Sequence, residues 1–230
     1  MVTEPEFRSV SVEELLGRPL NDVEKKVKVD TLFVEGSLKI PLPCPKVSII
    51  GSRKASLQGI ENAQRLAKTL IENQVVIVSG LAEGIDTAGH ETAIKMNGKT
   101  IAVLGTPLNK TFPAKNFELQ QEIMKNHLAV SQFPVDYPTN KKDFVIRNKT
   151  MALISDASVI VEAGKSSGSL HQGWETLRLG RPLFIWESVV NNKELDWPQE
   201  MMNYGAMKLS DPIDVLEVLP TRFEMIDVFQ

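Results

Sequence analysis

Val47–Ser56, VSIIGSRKAS, is the stretch on which the fold turns. Its first four residues, Val47–Ile50, are apolar or small and read as a buried strand. Gly51 breaks the run, and helical spacing of apolar residues begins near Leu57. A strand, a tight turn and a helix in this order open a doubly wound α/β sheet. The turn is polar and cationic, with Ser52, Arg53, Lys54 and Ser56. Backbone N–H groups at a helix start, next to Arg and Lys, form a seat for phosphate. On these ten residues alone, a basic surface turn fits equally well.

Downstream the same alternation continues. Helices are expected at Leu57–Ile71, Gly84–Met96, Lys115–Lys125, Lys142–Leu153 and Leu170–Leu179. Buried strands are expected at Val75–Val78, Thr100–Leu104, Leu128–Ser131, Ser158–Val161 and Pro182–Trp186. Short connections and wholly apolar strands imply a mostly parallel sheet with helices on both faces. Upstream, Val12–Leu16 is expected to form a short helix, Asp30–Ile40 two short strands turning at Glu35–Ser37, and Pro41–Pro45 a stiff connector. The domain reading is an N-terminal extension (1–45), a core (46–220) and a short tail (221–230).

Composition narrows the function classes. Of 230 residues, 42% are apolar and 24% charged, as in ordinary globular proteins. The apolar runs are strand-length, so no transmembrane helix is expected. The first ten residues lack an apolar signal core, and Cys44 is the single cysteine, which together suggest a reducing cytoplasm. Cys44 lies between prolines, where packing or linkage is expected. The net charge is −3, divided as −1 over residues 1–46, +3 over 47–187 and −5 over 188–230. A basic cleft can therefore sit in an acidic chain.

The polar motifs all follow strands: Gly51–Ser56, Ser79–Asp86, Leu104–Pro107, Gln132–Pro134 and Glu162–Ser169. In a parallel sheet these turns share one edge, where ligands bind. Ser166–Ser169 can cap the next helix or hold an anion through the same N–H groups, and Lys165 beside them favours the anion. Asp86 and His90, four apart, suit a local hydrogen bond that fixes the loop better than a metal or catalytic pair. Arg147, Asn148 and Lys149 interrupt an apolar helix, with Arg147 expected to aim into the cleft. Trp174 and Trp186 are expected to pack. There is no G-x-G-x-x-G after the first strand, no G-x-x-x-x-G-K-[ST] and no G-x-S-x-G. No cofactor, metal or catalytic residue is expected.

Seven blocks in order, LFVEGSL, VSIIGSRKAS, VSGLAEGIDTAGHETAI, GKTIAVLG, FPAKN, FVIRNKTMALIS and VIVEAGKSSGSL, resemble the DNA-processing protein A family, also called Smf. The resemblance spans about residues 30–210. It implies an extended Rossmann-like fold that binds single-stranded DNA, commonly as a homodimer, and helps load a RecA-type recombinase during natural transformation. It implies that Arg53, Lys54, Arg147, Asn148, Lys165, Ser167 and Gly168 line a DNA-phosphate pocket shaped by Gly80, Gly84, Asp86 and His90. Gly51, Ser52, Ser56, Gly80, Lys149, Ser166 and Ser169 are expected to join the phosphate contacts, and Glu162 to organise the loop.

Several positions depart from the family pattern. Lys149 stands where the family has a second arginine, Gln132 where it has glutamate, and LHQGWE follows Ser169 in place of a small, threonine-containing stretch. A C-terminal winged-helix-like domain, present in many members, is not expected here. Two other classes remain open at this stage: a phosphoribohydrolase-like nucleotide enzyme using Glu162 or Glu175, and a nucleotide-sensing module. Phe112 and Phe133 are the nearest candidates for base stacking, so binding is expected chiefly through phosphates.

Overall fold

The computed structural model describes residues 7–43 and 45–220. Cys44, the first residues and the 221–230 tail lie outside the described residues. Nine strands form one sheet: β1 (Arg8–Ser11), β2 (Thr31–Gly36), β3 (Lys46–Gly51), β4 (Val76–Ser79), β5 (Thr100–Leu104), β6 (Leu128–Ser131), β7 (Ala157–Glu162), β8 (Leu183–Trp186) and β9 (Met207–Leu209). Their order is β1-β2-β6-β5-β4-β3-β7-β8-β9. From β6 through β9 every pairing is parallel, while β1 and β2 add an antiparallel edge.

The helices are α1 (Val12–Leu16), α2 (Leu57–Glu72), α3 (Ile85–Lys95), α4 (Phe117–Asn126), α5 (Lys141–Ile154), α6 (Ser169–Arg178), α7 (Glu187–Val190) and α8 (Trp197–Asn203). The chain steps from β3 outward to β6, then jumps back to β7 and steps the other way. Crossovers between parallel strands are right-handed, so this reversal sends α2, α3 and α4 to one face and α5 and α6 to the other. Consistent with that, α2 packs on α3, and α5 on α6. Strands β4, β5, β6 and β8 are buried along their whole length, including Ile77, Ile101, Val130 and Leu183. That double-sided burial is why they read as unbroken apolar runs.

The N-terminal segment differs from the expectation. Asp30–Ile40 forms one strand, not two. Glu35 and Gly36, expected in a turn, instead pair with Ala129 and Leu128 of β6. Buried Leu32 and Val34 alternate with less buried neighbours, but Glu35 and Gly36 are both exposed, so the strand's end carried no burial signal. The antiparallel partner on the other side is β1, which has a single buried residue, Val10. A charged cluster fastens this region to the core. Glu24, itself buried, accepts from Arg18 Nη1 and Nη2 (2.8 and 2.6 Å) and from Arg181 Nη2 (2.7 Å). These donors hold its carboxyl at about 2, with the Arg18 hydrogen bond the largest influence.

Candidate functional site

The direction of chain progress reverses between β3 and β7. In open α/β sheets, the carboxyl ends of the strands at such a switch point enclose a crevice. Here it is a cleft of about 550 Å³. One lip is the turn after β3, with Gly51, Ser52, Arg53 and Lys54. The other lip is the turn after β7, with Gly164 and Ser166–Ser169. The α5 residues Arg147, Asn148 and Met151 line the space between them. A smaller pocket of about 190 Å³ adjoins it, shared among Arg53, Gly80, Phe112, Phe144 and Arg147.

The β3 lip is held from across the sheet. Ser52 N–H donates to the Glu162 carbonyl (2.7 Å). The Glu162 carboxylate accepts from Ser56 N–H (3.0 Å) and from Ser56 Oγ (2.5 Å). Ser56 Oγ in turn accepts from Gly59 N–H (3.0 Å) and so caps α2. Ser56, expected among the phosphate contacts, is occupied with this cap and stands outside the cleft wall. Arg53 and Lys54 stay exposed at the lip.

The turn after β4 contains a local strain and its brace. Leu81, fully buried, has φ of +60°, a left-handed conformation costly for a bulky residue. Asp86 Oδ2 accepts from the N–H groups on either side of it, Gly80 (3.1 Å) and Ala82 (3.3 Å). Asn116 Nδ2 donates to the Leu81 carbonyl (2.9 Å). Burial raises the Asp86 carboxyl above its usual range, and the Arg147 charge opposes this. A side chain at Gly80 would collide with the Arg147 guanidinium, and one at Gly84, where φ is +75°, with the Ser52 carbonyl. Both glycines therefore let neighbouring loops close on each other.

His90 does not join Asp86. It lies 2.7 Å through Nδ1 from Thr100 Oγ1, tying α3 to β5. Its ring is fully buried, and this burial lowers its pKa to about 3. The expectation that His90 helps organise the loop is corrected: the four-residue spacing puts both residues on α3, but their partners lie on different elements.

Arg147 is directed inward, and its guanidinium is buried. Nη1 donates to the carbonyls of Gly80 and of Val103 (2.7 Å), and Nε donates to Asn148 Oδ1 (2.9 Å). Desolvation pulls it down to about 10, still charged at neutral pH. Asn148 Nδ2 donates to the Gly168 carbonyl (3.0 Å), so α5 ties the β7 lip to the ends of β4 and β5. Lys149 and Lys165 are exposed and do not line the cleft.

Among the lining residues that escaped the sequence reading are Lys141, Phe144 and Gln172. The signal was present. Lys141, Phe144 and Asn148 are spaced i, i+3, i+7 on α5, and Gln172 follows Ser169 by three on α6. Phe144 packs on Phe112 with ring centres 5.1 Å apart, and the Arg53 guanidinium stands 5.8 Å from the Phe144 ring centre. Phe112 is half exposed. Phe133, expected to be available for stacking, is instead buried against Tyr137 at 4.8 Å. The aromatic surface at the cleft thus comes from Phe112 and from Phe144 of α5, which takes the place expected for Phe133.

The family profile described as DNA recombination-mediator protein A matches residues 17–220. The chain belongs to this family. Against the DNA processing protein DprA of Streptococcus pneumoniae (strain ATCC BAA-255 / R6) it is 37% identical over 185 residues, which is 80% of this chain and 65% of that one. It therefore spans just under two thirds of that relative's length. The X-ray structure of DprA from Streptococcus pneumoniae matches it with a TM-score of 0.78 at 31% identity, covering 94% of this chain and 75% of that one. The DprA structure from Helicobacter pylori, described for its single-stranded DNA binding mode, gives 0.73 at 26% identity, covering 92% and 95%. The Rossmann-like fold expected from the resemblance to the DNA-processing protein A family is therefore the fold observed. Among the described residues no helix is long and apolar enough to cross a membrane.

Proposed function

We propose that the cleft between the β3 and β7 lips binds single-stranded DNA. The observation that carries this reading is the pairing of exposed cations with an exposed ring, Phe112, and a partly buried one, Phe144, at a switch-point crevice. Arg53, Lys54 and Lys141 offer charge to phosphates, and Phe144 with Phe112 offers a face for bases. Stacked aromatics suit a strand whose bases are unpaired, and a duplex would keep its bases turned inward.

On this reading the protein holds DNA without altering it. The two carboxylates considered for nucleotide hydrolysis are engaged elsewhere: Glu162 with Ser56, and Glu175 with Arg178 at 2.9 and 2.5 Å. Assembly as a homodimer, a cytoplasmic location and a RecA-type recombinase as partner complete the proposal, and their support is family membership.

A mobility-shift titration with single-stranded and duplex DNA of one sequence, at two salt concentrations, tests the reading. Tighter binding to the single strand, weakening as salt rises, is expected. Equal affinity for the duplex, or release of free base from AMP or CMP by the protein, would overturn it.

A further inference from the structure

The two lips of the cleft differ in chemistry. The β3 lip is cationic. The corner beneath the N-terminus of α6 is lined from its own side by Gly164, Ser166–Ser169 and Gln172, none of them charged. Its helix start is also poor in free N–H groups. Leu170 and His171 N–H close back on the Ser167 and Gly168 carbonyls (both 3.2 Å), and Ser169 N–H points to Ser167 Oγ (3.4 Å). Phosphate would find few strong donors here. A neutral ligand with its own donors and acceptors would find more.

The side chain that marks this corner is Gln172. It lines the cleft and is only 1% exposed, yet its Nε2 has no hydrogen-bond partner. A buried amide left unpaired is destabilising, and nearly all such groups in folded proteins are satisfied. Half a turn of the amide exchanges its oxygen and nitrogen without moving the chain, so it can offer donor or acceptor. Beside it, Ser167 Oγ and Ser169 Oγ lie 2.7 Å apart and share one hydrogen, which leaves a second hydroxyl hydrogen for a ligand. Met151 adds an apolar wall.

An amide, hydroxyls and an apolar wall are the groups that recognise the edge and face of a base. We propose that this corner is a nucleobase pocket in which the Gln172 amide hydrogen-bonds the edge of an unpaired base. The inference rests on the single-stranded DNA reading and adds a division of labour: the β3 lip takes phosphates and the α6 corner takes a base.

The test compares oligo-dT with a strand of the same length whose bases are difluorotoluene, an apolar mimic of the shape of thymine. Charge and size are held constant while the hydrogen-bonding edge is removed. Wild-type protein is expected to bind oligo-dT about tenfold more tightly than the mimic, the scale of one well-made hydrogen bond. Gln172→Leu is expected to bind the two strands alike. Its melting temperature should equal or exceed the wild-type value, because an unpaired amide has been removed. A Gln172→Leu protein that keeps the preference, or a wild-type protein that has none while binding both strands, would overturn the base pocket. Failure of the wild type to bind either strand would overturn the DNA reading beneath it, and the two failures are distinguishable.

Discussion

Two arginines line one cleft and do opposite work. Arg53 is exposed, and its guanidinium stands over the Phe144 ring. Arg147 is buried, with Nη1 committed to the Gly80 and Val103 carbonyls and Nε to Asn148. Hydrogen bonds to a buried ion are strong because little solvent competes, and the same ion is costly when they are lost. Arg147 therefore belongs to the frame that joins the ends of β4 and β5 to α5. Arg53 belongs to the surface that a ligand meets.

The sharpest way to break this distinction is Arg147→Ala. Three acceptors lose their donor and Asp86 loses the charge that offsets its burial. A loss of at least about 3 kcal/mol in stability is expected, read from the denaturation midpoint in urea. Arg147→Lys keeps the charge but not the planar fork, and should fall between wild type and alanine. Wild-type stability in Arg147→Ala would show that the buried arginine is no part of the frame.

Acid should separate the same two sets of residues with a smaller effect. Thr100 Oγ1 donates to the Ile77 carbonyl (3.1 Å), so the proton between Thr100 and His90 sits on His90 Nδ1 and the ring is neutral. Burial lowers His90 from 6.5 to about 3, while the unfolded chain takes up its proton near 6.5. The folded-state pKa is depressed, so this stability is present above about pH 6.5 and is lost progressively as pH falls toward 3. Glu24, lowered from 4.5 to about 2, adds a loss of the same sign below 4.5. Denaturation midpoints between pH 7.5 and 5 should decline, by at most about 1.4 kcal/mol per pH unit from a single histidine. His90→Asn retains a donor for Thr100 and should flatten the decline, whereas Arg53→Ala should leave it unchanged. A decline identical in His90→Asn and wild type would remove His90 as its source.

What could be read in the sequence follows the same divide between frame and surface. Strands buried on both faces write themselves as apolar runs, and Thr100–Leu104 and Leu128–Ser131 were bounded to the residue. Since every turn after a parallel strand reaches one edge, the cleft was legible as a set of loops. The β1 strand was not: one buried valine in four residues carries no periodicity, and its partner lies more than twenty residues away. The short elements Glu187–Val190, Trp197–Asn203 and Met207–Leu209 were missed for a similar reason. Within the site, identity was legible and direction was not. Arg147 and Lys149 are two residues apart on one helix, and 3.6 residues per turn sends one inward and the other to solvent. Lys165 and Arg53 look equivalent as loop cations, yet only Arg53 lines the cleft.

That last difference supplies the smallest expected effect and the finest test. From motifs alone, Arg53→Ala and Lys165→Ala are equivalent: each removes one cation from a strand-end loop. In the structure Arg53 borders both the main cleft and the smaller pocket, and a nearby ring restricts its guanidinium. Lys165 stands free at the tip of the opposite loop. A direct phosphate contact releases counterions and contributes roughly −0.7 to the log–log salt slope on a single strand. Arg53→Ala should lose about that much of the slope, together with about tenfold in affinity at low salt, alike for oligo-dT and a mixed sequence. Lys165 acts on the strand only through screened attraction over several ångströms, so Lys165→Ala should cost less than about threefold and leave the slope nearly unchanged. Neither variant should shift the urea midpoint by more than about 0.5 kcal/mol, since both side chains are exposed. Equal slopes in the two variants would place Lys165 on the phosphate path as well, and the cleft would then extend across the β7 lip.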